Sequence, residues 1–276
     1  MSKLKFVLIG CGRIATLHVA GYKNNPDAEL YGVYDKNIQA AKKFAKEYDI
    51  PKVYESYEEV LQDFEVAAVE ILVPHHLHCE LTVKACEAKK HVSVQKPMAL
   101  NLEECDKMIK AAKENGVKLK VFENFVFYPP YQLAKKLLDE GEIGEPVGLR
   151  YKMTNCGLNS ENAPATKIRA KMAKAGEDLE MTGWKVDIKS LMWRVNESLS
   201  GGGPIVFDDG YHKFSTIMYM LGDVEKVNAW IEYTPVIPGI CQDAPAVIMW
   251  KHKNKNVFGV FDVTTAEEMY IKSKYY

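Results

Sequence analysis

Lys5-Phe6-Val7-Leu8-Ile9-Gly10-Cys11-Gly12-Arg13-Ile14-Ala15 is an apolar run followed by a glycine loop, and this stretch decides the fold of the first half of the chain. The run is typical of a parallel strand buried on both faces. The first glycine permits a tight turn, the second lets the main chain approach a pyrophosphate, and Ala15 keeps the next helix close to the strand. The helix N-terminus offers N–H groups to phosphates. We therefore predict a dinucleotide loop with cofactor-binding residues Gly10, Cys11, Gly12, Arg13 and Ile14.

An acidic residue follows the loop at the distance that a dinucleotide site requires. Asp35 ends the second predicted strand, 20 residues beyond Ala15. A carboxylate there accepts hydrogen bonds from the adenosine ribose hydroxyls. It also repels a 2′-phosphate, which favours NAD over NADP. Lys36 weakens that preference, so NADP stays an alternative.

Strands and helices alternate from Lys5 to Phe122, a pattern that predicts βαβ units and a parallel sheet. We expect an α/β fold: an N-terminal Rossmann doubly wound domain over 1–123. Beyond it, 124–276 is predicted to form a C-terminal α+β domain with a largely antiparallel sheet. Its long strands are placed at Val224 to Tyr233 and Ala246 to Lys274. A Lys-rich stretch between Pro164 and Gly176 is either a solvated helix face or a lid that presents charge to an acidic sugar.

The bulk composition narrows the class of protein. The chain has 276 residues, 47% hydrophobic, and a formal net charge of -1, so nothing global attracts nucleic acid or an anionic membrane. No apolar run approaches the roughly 18 residues of a membrane helix. Six scattered cysteines without a C-x-x-C motif indicate reduced thiols, and we expect a cytoplasmic protein. The spacing of His75, His76, His78 and Cys79 scatters them around a helix start, so no metal site is predicted.

Two further segments carry candidate chemistry. Lys96 follows an apolar strand, and the carboxyl ends of parallel strands are where ligands bind. Beside a nicotinamide, the pKa of the Lys96 ammonium would fall toward the range of an acid–base catalyst. The alternative is an ordinary surface lysine. Asp208 and His212 are four residues apart, so they can share a helix face, with the carboxylate setting the imidazole tautomer. The alternative is an N-capping Asp and a core His. The preceding Gly201-Gly202-Gly203 would let the main chain pass close to a ligand.

The ordered set of motifs resembles the Gfo/Idh/MocA family over nearly the whole chain. The matching stretches are Gly10 to Ala15, Val73 to His78, Gln95-Lys96-Pro97, Glu123 to Pro129, and Trp193-Arg194 with Ser200 to His212. The resemblance implies that Lys96, Asp208 and His212 are catalytic. It implies further cofactor contacts at Pro74, His75, His78, Gln95 and Asn124. Trp193 and Arg194 would bind substrate together with Lys96, Asp208 and His212.

Three features depart from the family pattern. Gln95 replaces a Glu that would hold or tune Lys96, and Val126 replaces an Arg. The chain stops at Tyr276, where relatives continue with more sheet, so we expect it to be C-terminally incomplete. Oligomers through the open face of the second sheet are expected by resemblance.

The leading hypothesis is an NAD(P)-dependent oxidoreductase acting on a secondary alcohol of a sugar, sugar derivative, polyol or inositol. His212 would take the hydroxyl proton while Lys96 orients the oxygen, and Asp208 would hold His212 or bind a neighbouring hydroxyl. Two alternatives remain. One is an NAD-binding regulator that performs no hydride transfer, and the other is an NAD-dependent glycosidase that consumes no net cofactor.

Overall fold

The computed structural model describes residues 3–23, 25–156, 178–181, 184–237 and 240–266. The chain divides into two compact units, Met1–Phe122 and Glu123–Tyr276. The Lys-rich stretch between Pro164 and Gly176 lies wholly outside the described residues, as does the predicted strand region beyond residue 266.

The first unit is built on one six-stranded parallel sheet with the order β3-β2-β1-β4-β5-β6. The order reverses between β1 and β4, and ligands of doubly wound sheets bind at such a reversal. The predicted Rossmann fold is confirmed. Its strands are β1 Leu4–Ile9, β2 Ala28–Tyr34, β3 Lys52–Val53, β4 Ala68–Ile71, β5 His91–Val94 and β6 Leu119–Val121, and its helices are α1 Ala15–Lys23, α2 Ile38–Glu47, α3 Tyr57–Gln62, α4 His78–Glu87 and α5 Leu102–Asn115.

Local sequence signals determine the ends of these helices. The Ser56 side chain accepts a hydrogen bond from the Glu59 amide at the start of α3, and Asn101 does the same for Glu104 at the start of α5. Such caps satisfy N–H groups that have no partner within the helix. Gly116 ends α5 with φ +68°, a left-handed conformation in which a Cβ is unfavourable.

The second unit contains a four-stranded sheet with the order β10-β13-β14-β7, antiparallel except for the β14–β7 pair. This confirms a largely antiparallel second sheet. The described strands of the second unit are β7 Gly148–Cys156, β8 Asp178–Met181, β9 Trp184–Asp187, β10 Val224–Ile231, β11 Thr234–Ile237, β12 Ile240–Gln242, β13 Ala246–His252 and β14 Phe258–Ala266. The pairs β8–β9 and β11–β12 form two further two-stranded sheets. The described helices of the unit are α6 Pro129–Asp139, α7 Glu197–Ser200 and α8 Gly210–Leu221.

The prediction of one long strand from Ala246 onward is wrong. A tight turn separates β13 from β14, and the His252 amide donates to the Val257 carbonyl across it, 3.0 Å away. The turn contains Asn254 with φ +58°. Asn is among the few residues other than Gly that adopt this conformation readily, because its short polar side chain can hydrogen-bond locally. The polar run Lys251 to Asn256 marks this turn in the sequence, and the prediction did not use that signal.

Candidate active site

The glycine loop leaves β1 through a turn that depends on its glycines. Gly10 has φ +102°, and a Cβ built there would lie 2.5 Å from the Leu72 carbonyl oxygen. A Cβ on Gly12 would meet nothing within 4 Å, so the main chain is open to approach on that side. Ala15 is fully buried at the start of α1, and its amide donates to the Gly12 carbonyl, 3.0 Å away. Shape and space therefore suit a pyrophosphate at a helix N-terminus.

Asp35 supports this loop from the end of β2. One of its carboxylate oxygens accepts from the Cys11 amide at 2.9 Å, and the other accepts from the Asn37 amide at 2.8 Å. A carboxylate has about four acceptor positions, so two hydrogen bonds leave capacity for ribose hydroxyls. Burial, with a smaller contribution from Asp35, raises the pKa of the Cys11 thiol to about 12. Cys11 is therefore a protonated thiol that fills space in the loop.

Three loops that carry predicted cofactor residues leave the same edge of the sheet. β1, β4 and β5 are adjacent, and each ends at this edge because the strands are parallel. β1 leads into Gly10, β4 into Pro74 and β5 into Gln95-Lys96. Since neighbouring strands lie about 4.8 Å apart, the loops after β1 and β5 begin about 10 Å from each other. Within the first unit, the structure thus brings the glycine loop and Lys96 together.

The expected cofactor contact of the His78 side chain is corrected. His78 is 0% exposed, and its two ring nitrogens lie 2.9 Å from the main-chain oxygens of Val73 and Pro97. It ties the loop after β4 to the loop after β5 and has no surface to offer a cofactor. Burial lowers the pKa of His78, which favours a neutral ring. His75 is similarly buried, at 1% exposure, and its ring packs 5.5 Å from that of His78.

Gln95 connects the main chain of Lys96 to a buried polar chain that sequence analysis missed. Its Oε1 accepts from the Lys96 amide at 2.8 Å, and its Nε2 lies 3.2 Å from Nε2 of His18 on α1. The Nδ1 of His18 contacts Glu70, a β4 residue with 2% exposure. The Tyr22 hydroxyl donates to the other Glu70 oxygen. The only sequence signal was an acid inside the apolar strand Val66 to Val73.

In the second unit, His212 is held by an acid that sequence reasoning did not assign. Its Nδ1 lies 2.9 and 3.0 Å from the two carboxylate oxygens of Glu123. The Phe125 ring stacks on the imidazole with centroids 4.4 Å apart and planes 18° from parallel. Glu123 also accepts from the Phe125 amide at 2.6 Å, which fixes the acid. A carboxylate at Nδ1 favours the tautomer in which Nε2 can accept a proton.

The prediction that Asp208 holds His212 is therefore corrected. Asp208 is 3% exposed and accepts a hydrogen bond from the Arg194 guanidinium. The Arg194 guanidinium also lies over the ring of Trp193, 4.9 Å from its centroid. Asp208 belongs to a π-helical turn, Pro204–Asp209, whereas His212 belongs to α8. The four-residue spacing therefore does not correspond to one turn of a continuous α-helix, on which the prediction depended.

The glycine triplet makes room for a protein side chain. A Cβ on Gly203 would lie 2.0 Å from Cγ of Asp243, and one on Gly202 would lie 2.6 Å from the Phe207 ring. The buried Asp243 carboxylate accepts from the Ile205, Val206 and Phe207 amides at 2.7, 2.8 and 3.0 Å. It therefore caps the turn that carries Asp208. Two glycines of the triplet are therefore required by neighbouring protein side chains, and the approach of a ligand to this main chain stays a prediction.

Comparison with known proteins gives two family matches that together span most of the chain. Residues 4–123 match the GFO_IDH_MocA model, described as an oxidoreductase family with an NAD-binding Rossmann fold. Residues 131–270 match a GFO/IDH/MocA C-terminal domain. The chain belongs to the Gfo/Idh/MocA oxidoreductase family.

Among relatives in this family, scyllo-inositol 2-dehydrogenase (NAD(+)) of Bacillus subtilis is 35% identical over 233 residues, which is 84% of this chain and 64% of the relative. Myo-inositol 2-dehydrogenase of Thermotoga maritima is 26% identical over 257 residues, 93% of this chain and 73% of the relative. The chain spans 48% of the length of a third relative, the uncharacterized oxidoreductase YrbE of Bacillus subtilis. A solved levoglucosan dehydrogenase, in complex with NADH and levoglucosan, shares the fold with a TM-score of 0.77. Its sequence identity to this chain is 23%, and the match covers 96% of this chain and 68% of that one.

The remaining sequence-based site residue, Asn124, is exposed at the start of a short 3₁₀ turn, Phe125–Phe127. Within the described ranges, no cluster of three or more potential metal ligands occurs. A membrane-spanning helix is likewise not found in that part of the chain.

Proposed function

We propose that this chain is an NAD-dependent oxidoreductase that oxidises a secondary alcohol of a sugar, sugar derivative, polyol or inositol, with NADP as the alternative cofactor. The observation that carries the proposal is the common edge of β1, β4 and β5. It brings the open glycine loop and Lys96 to one end of a sheet whose family is described as NAD-binding. A nucleotide loop and an acid–base residue at one sheet edge are the minimum for hydride chemistry.

The chain's own residues fit the cofactor. The main chain at Gly12 is open on the side where a Cβ would stand, and the N-terminus of α1 follows it. Asp35 retains acceptor capacity toward the ribose. NAD, when bound, supplies the hydride acceptor. Lys96 orients the alcohol oxygen and stabilises the negative charge that develops on it.

The proton of the alcohol goes to His212 in this proposal. Glu123 and Phe125 fix the ring, so that Nδ1 faces the carboxylate and Nε2 is the nitrogen that accepts the proton. The positive charge that then forms on the imidazole is stabilised by Glu123. Arg194 and Trp193, with Asp208 behind the guanidinium, are the proposed substrate-binding groups because they offer donors and an aromatic face.

The substrate class rests on relatives. Two of them are named inositol dehydrogenases, and two others are named levoglucosan dehydrogenase and D-glucoside 3-dehydrogenase. All four names describe oxidation of ring-bearing polyhydroxy compounds. We propose the same chemistry for this chain, and the substrate panel described below tests this part of the proposal.

We further propose that copies of this chain associate through the open face of the second unit's sheet. Trp230 on β10 pairs with Val247 on β13, and Met249 lies on the same face two residues further along. These apolar side chains are 59%, 39% and 37% exposed, and exposed apolar patches are typical of interfaces. Light scattering should show an oligomer that Trp230→Glu dissociates. A monomeric wild-type protein would contradict the association.

The test of function is a panel of inositols, sugars, glycosides and sugar acids with NAD, followed by NADH absorbance. NAD binding is measured separately, and Lys96→Met is run in parallel. We expect NADH from one substrate class, with loss of turnover but not of NAD binding in the variant. Full turnover in Lys96→Met would overturn the role of Lys96. NAD binding without any NADH would favour a regulator, and sugar release without net NADH would favour a glycosidase.

A further inference from the structure

A chain of four side chains runs from the interior of the first unit to the main chain of Lys96. Tyr22 donates to Glu70, Glu70 contacts Nδ1 of His18, and Nε2 of His18 faces Nε2 of Gln95. Oε1 of Gln95 then accepts from the Lys96 amide at 2.8 Å. The members come from α1, β4 and the loop after β5. The chain therefore links three separate elements to one predicted catalytic residue.

The direction of each hydrogen bond follows from the Lys96 end. A main-chain N–H can only donate, so the Gln95 atom that faces it must be the carbonyl oxygen. The Gln95 amide NH₂ consequently points at His18 and donates, which requires a lone pair on Nε2. The single proton of a neutral His18 ring is then on Nδ1 and is donated to Glu70. Each contact in the chain pairs one donor with one acceptor only if His18 is neutral.

The surroundings of His18 are consistent with this arrangement. Glu70 is 2% exposed, and the His18 side chain is 12% exposed. Burial, followed by the Glu70 carboxylate, raises the pKa of Tyr22, so its hydroxyl stays protonated and donates. The ring of Phe122 meets the imidazole edge-on, with centroids 4.6 Å apart. The charged group that faces His18 is thus Glu70, on β4. The polar Tyr22 and Gln95 and the apolar Phe122 complete the surroundings of the ring.

We propose that Glu70 and His18 are positioning residues that hold Lys96 through Gln95, and that this relay supplies the acid which the family's usual Glu at position 95 would provide. The effect on turnover rests on the proposed oxidoreductase function. Gln95 is then a required member of the relay, because its amide is the one side chain of this length that donates to His18 and accepts from Lys96 at once. In place of a carboxylate directly beside Lys96, the protein uses the buried Glu70 carboxylate. Glu70 acts on Lys96 through the neutral His18 ring and Gln95.

The relay makes a specific prediction about Gln95→Glu. A carboxylate at position 95 would face the lone pair on Nε2 of His18, and the two acceptors repel. The contact is restored only when the ring carries a second proton and lies between two carboxylates. The position of Lys96 then depends on that second proton, and Lys96 becomes less firmly fixed when the proton is lost at higher pH. Wild-type protein has no such requirement.

The double variant Glu70→Gln with Gln95→Glu reverses the relay without changing its net charge. The amide at position 70 donates to Nδ1 of His18, Nε2–H donates to the carboxylate at position 95, and that carboxylate accepts from the Lys96 amide. The Tyr22 hydroxyl still finds an acceptor in the amide oxygen. Each contact again pairs one donor with one acceptor, now with the opposite tautomer of His18. Recovery in the double variant is therefore a signature that simple damage to packing would not produce.

The experiment records ¹⁵N–¹H spectra of His18, hydrogen exchange of the Lys96 amide, and kcat and KM at neutral pH and at pH 9. Wild-type His18 should carry one proton on Nδ1, Gln95→Glu two protons at neutral pH, and the double variant one on Nε2. At pH 9 we expect Gln95→Glu to exchange the Lys96 amide about tenfold faster and to lose about tenfold in kcat at similar KM. The double variant should recover both. The matched control is Tyr57→Phe, which removes a buried hydrogen bond to the Leu81 carbonyl in the same unit.

Two results would overturn the relay. One is a wild-type His18 with its proton on Nε2 or with two protons at neutral pH, a measurement that needs no variant. The other is a double variant whose Lys96 amide and kcat are no better than those of Gln95→Glu. Spectra and amide exchange do not depend on turnover, so a relay that passes these tests in a protein without dehydrogenase activity would refute the proposed function alone.

Discussion

The two units each contain a Glu–His pair, and the pairs differ in what lies on the far side of the ring. His18 contacts Glu70 through Nδ1 and Gln95 through Nε2. His212 contacts Glu123 through Nδ1, and no partner of Nε2 is found among the described residues of the second unit. Both ring nitrogens of His18 thus have a partner in the first unit. In the second unit, Nε2 of His212 has no partner among the unit's own described side chains.

The contrast shows that a carboxylate beside a histidine does not by itself mark a base. A base needs a nitrogen that can reach the substrate, whereas a ring with both nitrogens engaged fixes the positions of its neighbours. This difference is why we propose Glu70–His18 as a support for Lys96 and His212, held by Glu123, as the proton acceptor. Ring packing supports this division, because Phe125 holds the His212 plane by stacking and Phe122 meets His18 edge-on.

Replacing the proposed base should produce the largest effect. We expect His212→Gln to lower kcat by about 10²- to 10⁴-fold, since a positioned proton acceptor contributes about that much. NAD affinity should stay unchanged, as measured by fluorescence titration. Glu225→Gln in the same unit, which breaks the half-exposed pair with Lys251, serves as the control. A His212→Gln protein with kcat near that of the control would remove the distinction between the two histidines.

Neutralising the acid behind the base should cost less. Glu123→Gln keeps the shape but offers His212 an amide in place of a carboxylate, so the imidazolium that forms during turnover is less stabilised. We expect kcat to fall about tenfold to a hundredfold, with KM little changed, because the ring would be less well oriented. Steady-state kinetics on the substrate identified by the panel measures the changes in kcat and KM separately. A rise in KM at constant kcat would assign Glu123 to substrate binding instead.

The smallest expected effect is on stability, at the enclosed histidine His78. Burial lowers the pKa of His78 below the value of about 6.5 in an unfolded chain. The unfolded state therefore binds more protons between these two values, and the free energy of unfolding falls as the pH decreases below about 6.5. His78→Gln should cost about 1–3 kcal/mol at pH 7.5, because it disturbs the buried hydrogen bond that the neutral ring donates to one of the carbonyl oxygens of Val73 and Pro97.

Urea unfolding at pH 7.5 and pH 5.5 measures both quantities for His78. The variant should lose less stability between the two pH values than the wild-type protein does. Identical pH dependence in the two proteins would show that His78 is not the group that takes up the proton.

Sequence patterns predicted the parts of the molecule that depend on neighbouring residues. The glycine loop and the Rossmann class follow from local spacing, and the structure contains them. The pairings that define the candidate site are long-range: His18 to Glu70 spans 52 positions and His212 to Glu123 spans 89. No periodicity encodes such contacts.

Where local spacing was extended to side-chain contacts, it failed. Asp208 was paired with His212 on the assumption of one α-helical turn, but a π-helical turn lies before α8. The sequence also did not show that Gly203 leaves room for Asp243, 40 positions away. Backbone irregularity and a distant carboxylate are both determined by tertiary packing, which a single sequence does not display.

The most direct test of the central claim follows the hydride itself. NAD is incubated with the protein and with sugars and inositols that carry deuterium on every ring carbon, and the reduced cofactor is analysed by mass spectrometry. We expect one deuterium in the reduced nicotinamide with wild-type protein and none with Lys96→Met. Bound NAD that gains no deuterium from any of these substrates would contradict the claim that this chain transfers hydride from a polyhydroxy alcohol.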